Sequence, residues 1–116
     1  MSEVSIWFNS SCSKCRGARE LLEERGVEAE YIEYLKQPPT RADIERVMSL
    51  LGITDPRAMM RTGESIYSEL GLGDAGPHEL IEAMLGHPIL IERPIVVIGD
   101  RAVIARPPEK LLDLLG

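Results

Sequence analysis

Residues 4–15 have the sequence VSIWFNSSCSKC. The β-branched and aromatic run at 4–8 predicts a strand, and the polar residues after it end that strand. A helical pattern begins at about Ser13 and stops at Arg25-Gly26, a basic residue and a glycine that are typical of a helix C-terminus. Alternation over residues 28–34 predicts a second strand. Strand, helix and strand form a βαβ unit, in which the strands should be parallel and the crossover right-handed.

The middle of the chain has helical rather than strand periodicity. Gln37-Pro38-Pro39 breaks the chain, and Thr40 followed by Asp43 is a helix capping signal. Apolar residues then recur at intervals of three and four, as on the buried face of a helix. The predicted helical segments are 40–52, 56–60, 64–70 and 77–86.

The last part of the chain returns to strand character. Residues 94–98 and 101–105 are apolar runs joined by Gly99-Asp100, which predicts an antiparallel hairpin. Residues 111–115 predict a terminal amphipathic helix. The resulting order predicts an α/β, thioredoxin-like fold with a four-stranded mixed sheet and a helical insertion. The length favours a single domain over residues 1–116.

Composition excludes several classes of function. The 116 residues carry a formal net charge of −6, which argues against a generic binder of nucleic acid or of anionic membranes. No apolar run approaches the roughly 20 residues of a membrane helix. The N-terminus, Met1-Ser2-Glu3-Val4, lacks the basic start of a signal peptide. We therefore expect a cytoplasmic protein.

Cys12 is the strongest candidate for a catalytic residue. It falls between the first strand and the first helix, where the unpaired N–H groups of a helix start stabilise a thiolate. Such a position lowers a thiol pKa from about 8.5 to roughly 3.5–7.5. We expect Lys14 and Arg16 to add positive charge, and we expect Cys12 to lie at the surface.

Cys15 is the second candidate catalytic residue. Three residues after Cys12, it should lie on the same side of the helix, where it could resolve an adduct on Cys12. Two other interpretations remain open. Cys15 could be a buried, inert residue of the helix. The pair could also be half of a zinc site, but His78 and His87 lack the usual ligand spacing, so we expect no metal.

Three arginines are candidate anion ligands because each stands at the end of a predicted element. Arg61 follows a short helical turn, Arg93 precedes Pro94 at the start of the third strand, and Arg106 follows the last strand. A residue before proline adopts an extended conformation, which would direct Arg93 across the site. Guanidinium groups offer paired donors to oxyanions. If the arginines converge on Cys12, they could hold a tetrahedral oxyanion there.

The chain resembles the glutaredoxin-linked arsenate reductase family (ArsC) over essentially its whole length. The His87–Val97 block is far more specific than the two cysteines. The matching stretches are Asn9-Ser10-Ser11-Cys12-Ser13-Lys14, Tyr34-Leu35, Pro38-Pro39-Thr40-Arg41, Arg57-Ala58-Met59-Met60-Arg61, His87-Pro88-Ile89-Leu90-Ile91-Glu92-Arg93-Pro94-Ile95-Val96-Val97 and Arg106-Pro107.

The resemblance implies a function and a mechanism. Cys12 would be the nucleophile that attacks arsenate, and Arg61, Arg93 and Arg106 would bind the oxyanion. A thiol, typically glutathione or another low-molecular-weight thiol, would then reduce As(V) to As(III). Glutaredoxin, or thioredoxin, would regenerate the protein, with no bound cofactor or metal.

Three features depart from the family pattern. Phe8 stands where these enzymes often carry a histidine near the cysteine. Cys15 is present where glutathione-linked members commonly lack a second thiol, so an internal disulfide and a thioredoxin-type reductant are conceivable. The chain also stops at Gly116, without the C-terminal extension of some members.

Two alternative functions share the fold. Spx-type transcriptional regulators carry two cysteines at the same helix start and bind RNA polymerase, but have no need of the three arginines. A glutaredoxin-like thiol-disulfide carrier would leave the helical insert and Arg61 without a purpose. The complete arginine set favours the enzyme.

Overall fold

The computed structural model describes residues 3–115; Met1, Ser2 and Gly116, named above, lie outside the described residues. The chain divides into two compact units. The first comprises residues 3–37 and 93–115, and the second comprises residues 38–92. The second unit thus corresponds to the predicted helical insert.

The first unit is built on a four-stranded mixed sheet. Its strands are β1 (Val4–Phe8), β2 (Glu30–Glu33), β3 (Ile95–Ile98) and β4 (Arg101–Ile104), in the spatial order β2-β1-β3-β4. β1 runs parallel to β2 and antiparallel to β3, and β3 forms a hairpin with β4. This topology confirms the predicted α/β, thioredoxin-like fold with its helical insertion.

The strand register places the segments that adjoin all four strands at one end of the sheet. Phe8 pairs with Glu33, Trp7 with Ile95, and Ile95 with Ile104. The C-terminal ends of β1, β2 and β4 therefore lie level with the N-terminal end of β3. The residues that adjoin the strands at this end are Asn9, Tyr34, Pro94 and Ala105, and Arg93 and Arg106 lie one residue further along the chain.

Helix α1 (Ser13–Glu24) packs against the sheet through an apolar face. Its buried residues join β1, β3 and the C-terminal turn in one hydrophobic cluster: Val4, Ile6, Phe8, Cys12, Cys15, Ala18, Leu22, Val96, Ala105 and Leu111. The C-terminal turn approaches α1 closely at Gly17, where a Cβ atom would lie only 3.0 Å from Cγ of Pro108. A larger residue at position 17 would push this turn away.

Local backbone conformation and hydrogen bonds determine where α1 and β2 end. Gly26 has a φ of 67°, in the left-handed region, which confirms it as the predicted stop after the helix. β2 is shorter than the predicted 28–34. The N–H groups of Lys36 and Gln37 donate to the carbonyl of Glu33, at 2.9 and 2.8 Å, and this turn ends the strand.

The second unit contains three α-helices, α2 (Arg41–Leu51), α3 (Ser65–Glu69) and α4 (Pro77–Gly86). The predicted capping signal at the start of α2 is confirmed. The N–H of Asp43 donates to Oγ1 of Thr40 at 3.1 Å, and the N–H of Thr40 donates to Oδ2 of Asp43 at 2.9 Å. Gly52 ends this helix as predicted.

Short 3₁₀ turns supplement these helices. Pro56–Met59 matches a predicted helical turn, whereas the turns Leu72–Asp74 and Pro88–Leu90 were not predicted. In the first unit, the turn Pro108–Leu111 precedes the terminal helix α5 (Leu112–Leu115), so the predicted terminal helix is partly 3₁₀. A single turn is too short to show helical periodicity in a sequence.

The side chain of Arg57 forms hydrogen bonds that connect the short turns of the second unit. Its Nε donates to the hydroxyl of Tyr67 at 2.9 Å, and its Nη2 donates to the carbonyls of Leu72, at 2.8 Å, and Ala75, at 2.7 Å. These bonds join the Pro56–Met59 turn to α3 and to the following loop. Arg57 therefore has a structural role within the insert.

Candidate active site

A short loop places Cys12 at the start of α1. The N–H of Cys12 donates to the carbonyl of Asn9 at 2.9 Å, and the N–H of Ser11 donates to Oδ1 of the same residue at 3.0 Å. Cys12 is the N-cap residue, with extended φ and ψ of −95° and 124°. The loop thus turns the chain from β1 into α1 with the cysteine at the helix N-terminus.

Cys12 is only 8% exposed, so the expectation that it lies at the surface is wrong. It belongs to the hydrophobic cluster beneath α1 because the loop folds back onto the helix start. Access to the sulfur is therefore narrow. A reactive group in this position is shielded from bulk water, which strengthens its interactions with neighbouring charges and dipoles.

The pKa of Cys12 is lowered to about 7. Burial raises this pKa, but the N–H groups of Cys15 and Lys14, the Arg93 guanidinium and the Cys15 thiol together outweigh burial. The sulfur makes no capping hydrogen bond within the usual distance limit. The Cys12 thiolate is therefore stabilised by several dipoles, the N–H groups and the Cys15 thiol, and by one cation, Arg93. Cys12 therefore ionises near neutral pH.

The positive charge beside Cys12 comes from Arg93, where the sequence analysis named Lys14 and Arg16. Lys14 contributes through its backbone N–H. The Arg16 guanidinium donates from Nη1 to the carbonyl of Ser10 at 2.9 Å. This hydrogen bond connects the Arg16 side chain, on α1, to the cysteine loop.

Cys15 is fully buried in the first turn of α1, and both cysteines are free thiols. Burial raises the pKa of Cys15 to about 12, and the negative charge of Cys12 adds to this effect. The two thiols thus differ in chemistry: Cys12 ionises near neutral pH, whereas Cys15 keeps its proton. A protonated Cys15 can donate to the Cys12 thiolate.

Arg93 precedes β3, and its side chain reaches Cys12. Burial disfavours the charge of Arg93, but interactions with the Cys12 thiol and the Tyr34 phenol raise its pKa above the ordinary value. The bond to Pro94 is a cis peptide. Arg93 is thus a fixed cation beside the thiol.

Arg106 lies directly beside Arg93. Its Nη1 donates to the main-chain carbonyl of Arg93 at 2.9 Å, and the N–H of Ala105 donates to the carbonyl of Pro94 at 2.9 Å. The peptide bond between Arg106 and Pro107 is also cis. The first unit therefore contains four of the five candidate residues. Cys12, Cys15 and Arg93 interact with one another, and Arg106 contacts the main chain of Arg93.

Arg61 belongs to the second unit and has acidic neighbours there. Its Nη1 lies 2.8 Å from Oε1 of Glu64, and its Nε lies 3.8 Å from Oε1 of Glu92. Its backbone N–H donates to the carbonyl of Leu90 at 2.7 Å. An anion that binds Arg61 would therefore compete with two carboxylates.

Tyr34 is a site residue that the sequence reasoning missed. In the sequence, Tyr34 is only the end of a predicted strand and part of a stretch that matches the family. In the structure it is fully buried and lies beside the Arg93 guanidinium. No local pattern in the sequence marks it, because Arg93 is distant in the chain.

Phe8, at the position where the family pattern often has histidine, is an apolar core residue. Its ring makes an edge-on contact with Tyr31 at 5.3 Å between centroids, and the guanidinium carbon of Arg19 lies 5.3 Å from the Phe8 centroid. Phe8 therefore supplies packing below the cysteine loop and no proton or charge.

The described residues show no metal site and no membrane helix. Within 3–115, no three His, Cys, Asp or Glu side chains are grouped so that they could hold a metal ion. In the same range, none of the helices has the length and apolar character needed to cross a membrane.

A family model described as the ArsC family matches residues 7–114. The chain belongs to the ArsC family. Among curated members, it is 43% identical to the Escherichia coli protein named "Uncharacterized protein YfgD" over 98% of each chain. It is 41% identical to a protein of Neisseria meningitidis named arsenate reductase, over 99% of this chain and 100% of that one.

Solved structures of the family have the same fold. A structure titled arsenate reductase from Vibrio cholerae superposes with a TM-score of 0.92 at 44% identity, over 95% of each chain. A structure titled putative arsenate reductase from Yersinia pestis superposes with a TM-score of 0.91 at 40% identity, over 95% of this chain and 98% of that one. The predicted membership of this family is confirmed.

Proposed function

We propose that this ArsC-family chain is an arsenate reductase that reduces As(V) to As(III) through a covalent adduct on Cys12. The single observation that carries the proposal is the position of the Arg93 guanidinium beside the low-pKa thiol of Cys12 at the start of α1. This arrangement provides a nucleophile and an anion-binding cation at the same point. Relatives about 40% identical over the full chain bear the name arsenate reductase.

The arginines bind the substrate in this proposal. Arg93 and Arg106, linked at 2.9 Å in the first unit, supply the donors. Arg61, the third ligand predicted from the sequence, belongs to the second unit. Each charged hydrogen bond contributes about 1.5–3 kcal/mol. Such local contacts outweigh the repulsion of an arsenate anion by the net charge of −6.

The first chemical step is nucleophilic attack. The Cys12 thiolate attacks the arsenic atom, a sulfur–arsenic bond forms, and one arsenate oxygen leaves as water after protonation. Arsenic remains As(V). Covalent catalysis divides the reduction into easier steps, and the guanidinium groups stabilise the oxygens that carry the charge.

The second step is the reduction. A glutathione thiolate attacks the sulfur of Cys12, so that a disulfide forms while the sulfur–arsenic bond breaks. The electron pair of that bond stays on arsenic, which becomes As(III) and leaves as arsenite. Glutaredoxin then removes glutathione from Cys12 by thiol–disulfide exchange. The free thiols favour the cytoplasm as the location.

An arsenate-dependent NADPH oxidation assay, coupled through glutathione and glutaredoxin, tests the proposal. We expect turnover in the wild type and none in Cys12→Ser. Turnover in Cys12→Ser would rule out Cys12 as the nucleophile. A wild-type protein without turnover would contradict the proposed function, and its binding to RNA polymerase or its exchange of disulfides would then be measured.

A further inference from the structure

The cysteine loop, residues 9–12, has little packing of its own between β1 and α1. Ser10 and Ser11 are both exposed, and neither has an apolar side chain that could anchor the loop in the core. Exposed connections of this kind are usually the more mobile parts of a protein. At these two residues, hydrogen bonds to the backbone therefore have to supply the order that packing does not.

Asn9 holds the loop from the end of β1. Its Oδ1 accepts from the N–H of Ser11 at 3.0 Å, and its main-chain carbonyl accepts from the N–H of Cys12 at 2.9 Å. An asparagine side chain readily bonds to the N–H two residues further on, which forms a turn. The last two N–H groups before the helix are thus both directed back to Asn9.

Arg16 holds the loop from the other side, within α1. Its N–H donates to the carbonyl of Cys12 at 3.0 Å, and its Nη1 donates to the carbonyl of Ser10 at 2.9 Å. Arg16 is exposed, so burial does not require the second bond. Ordering a long arginine side chain costs rotamer freedom. In return, this bond fixes the direction of the Ser10 carbonyl.

The two side-chain bonds act on one peptide group, the one that joins Ser10 to Ser11 and is called the loop peptide below. Its carbonyl accepts from Arg16, and its N–H donates to Asn9. A trans peptide group is planar, and its C=O and N–H point in opposite directions. The loop peptide is therefore held at both edges. Its rotation would displace Cys12, which follows directly in the chain.

The exact position of Cys12 matters because the partners of its sulfur are directional. The N–H groups of Lys14 and Cys15, in the first turn of α1, help to lower the pKa of Cys12. A hydrogen bond weakens steeply as its angle falls toward about 120°. A small displacement of Cys12 would therefore weaken its interaction with these N–H groups.

We propose that Asn9 and Arg16 are positioning residues for Cys12. Together they fix the loop peptide, and the fixed loop keeps the thiol at the N-terminus of α1. Each acts through the loop backbone. Their effect on arsenate turnover rests on the proposed function, whereas their effect on the reactivity of the thiol does not. The two effects can therefore be measured separately.

The first test measures the rate of Cys12 alkylation with iodoacetamide as the pH is raised from 5 to 10. In Asn9→Ala and in Arg16→Ala, we expect the midpoint to rise and the rate below pH 7 to fall by about two- to tenfold, the worth of one hydrogen bond. Asn9→Ser should fall between Asn9→Ala and the wild type, because a serine hydroxyl forms the same turn more weakly. Unchanged midpoints in both alanine variants would overturn the proposal.

Two controls separate positioning from other effects. Ser10→Ala keeps the carbonyl that Arg16 binds, so its midpoint should match that of the wild type. At about 1 M salt, where the screening length is about 3 Å, the difference between Arg16→Ala and the wild type should persist. A difference that disappears at this salt concentration would show that Arg16 acts through its charge, and the proposal would be wrong for Arg16.

A double variant tests whether both residues act through the loop peptide. Groups that share a partner do not contribute additively. We expect Asn9→Ala combined with Arg16→Ala to shift the midpoint by less than the sum of the two single shifts. A strictly additive shift would show that the two side chains act independently, which would contradict a shared role.

Turnover provides a readout that a purely structural role would not produce. In Asn9→Ala, kcat/KM for arsenate should fall near pH 7 and recover toward pH 9, where the thiol is ionised without help. A deficit that is equal at both pH values would contradict positioning. Shifted alkylation midpoints in a protein without arsenate turnover would support the role of Asn9 and Arg16 and contradict the proposed function.

A further measurement needs no variant. In nitrogen-15 relaxation of the wild type, the order parameter of the Ser11 N–H should be about 0.85, the value of a rigid backbone. A value below about 0.6, which is typical of a flexible loop, would show that the loop peptide is not fixed. That result would overturn the proposal even if the variants failed to fold.

Discussion

The guanidinium of Arg106 donates to the main-chain carbonyl of Arg93 at 2.9 Å. This bond links a residue two positions after the end of β4 to a residue two positions before the start of β3. One arginine thereby fixes the backbone from which the other extends toward Cys12. Two of the candidate anion ligands are thus joined by a hydrogen bond. A substitution of either arginine is expected to change the position of the other.

Removing either arginine should impair arsenate reduction without unfolding the protein. We expect Arg93→Ala to lower kcat/KM for arsenate by about 10- to 150-fold, the worth of one charged hydrogen bond. Arg106→Ala should have a smaller effect, since its observed bond is to the Arg93 backbone. Arg101→Ala, at an exposed position on β4, is the control. Unchanged kinetics in both site variants would exclude an arginine site.

The activity should depend on the ionisation of Cys12. Its pKa of about 7 means that the thiolate fraction grows as the pH rises through neutrality. We expect kcat/KM for arsenate to increase between pH 6 and 8 and then level off, as followed in the coupled assay. The same midpoint should appear when alkylation of Cys12 is titrated. A midpoint near the ordinary thiol value of about 8.5 would show that the helix start and Arg93 do not act on this sulfur.

Neutralising Glu64 should strengthen arsenate binding. Glu64 lies 2.8 Å from Arg61, and an anion at Arg61 has to compete with it. Since a partly exposed ion pair is worth up to about 1 kcal/mol, Glu64→Gln should lower KM by roughly two- to fivefold with little change in kcat. Glu45→Gln, which alters the exposed pair with Arg41, serves as the comparison. A higher KM would indicate instead that Glu64 orients Arg61.

Cys15→Ser should separate the two classes of reductant. Because Cys15 keeps its proton, with a pKa of about 12, an external thiolate is the better nucleophile toward an adduct on Cys12. We expect glutathione-supported turnover to persist in Cys15→Ser and thioredoxin-supported turnover, which needs an internal disulfide, to disappear. Equal rates with both reductants would make Cys15 a bystander.

Arg57→Ala should destabilise the second unit. The change removes the donor to Tyr67 and the donors to the carbonyls of Leu72 and Ala75. We expect a clearly lower urea midpoint, and Arg57→Lys should be nearly as unstable because an ammonium cannot reproduce the planar fork. A midpoint equal to that of the wild type would show that these contacts do not stabilise the fold.

Much of the fold could be predicted because each element carries a local signal. The strand at Val4–Phe8, the capping box at Thr40 and the glycine after α1 are all visible in short windows of sequence. The limits of β2 were less predictable, since they depend on a turn that closes onto Glu33. The 3₁₀ turns Leu72–Asp74 and Pro88–Leu90 could not be recognised, because three residues show no periodicity.

The candidate site was only partly predictable for a similar reason. The position of Cys12 at a helix start follows from its neighbours in the sequence. Its burial does not, because the loop closes through Asn9 and is covered by the cluster beneath α1. The contact of Arg93 with Tyr34 joins residues far apart in the chain. They come to the same end of the sheet because β2 runs parallel to β1 and β3 antiparallel to it.

The strand order has a consequence for how this protein can be altered. The low-pKa thiol, its arginine pair and Tyr34 all come from the segments on either side of the insert. We therefore expect that residues 38–92 can be exchanged for the corresponding segment of a relative. A chimaera that carries a relative's insert should keep the nucleophilicity of its Cys12 sulfur.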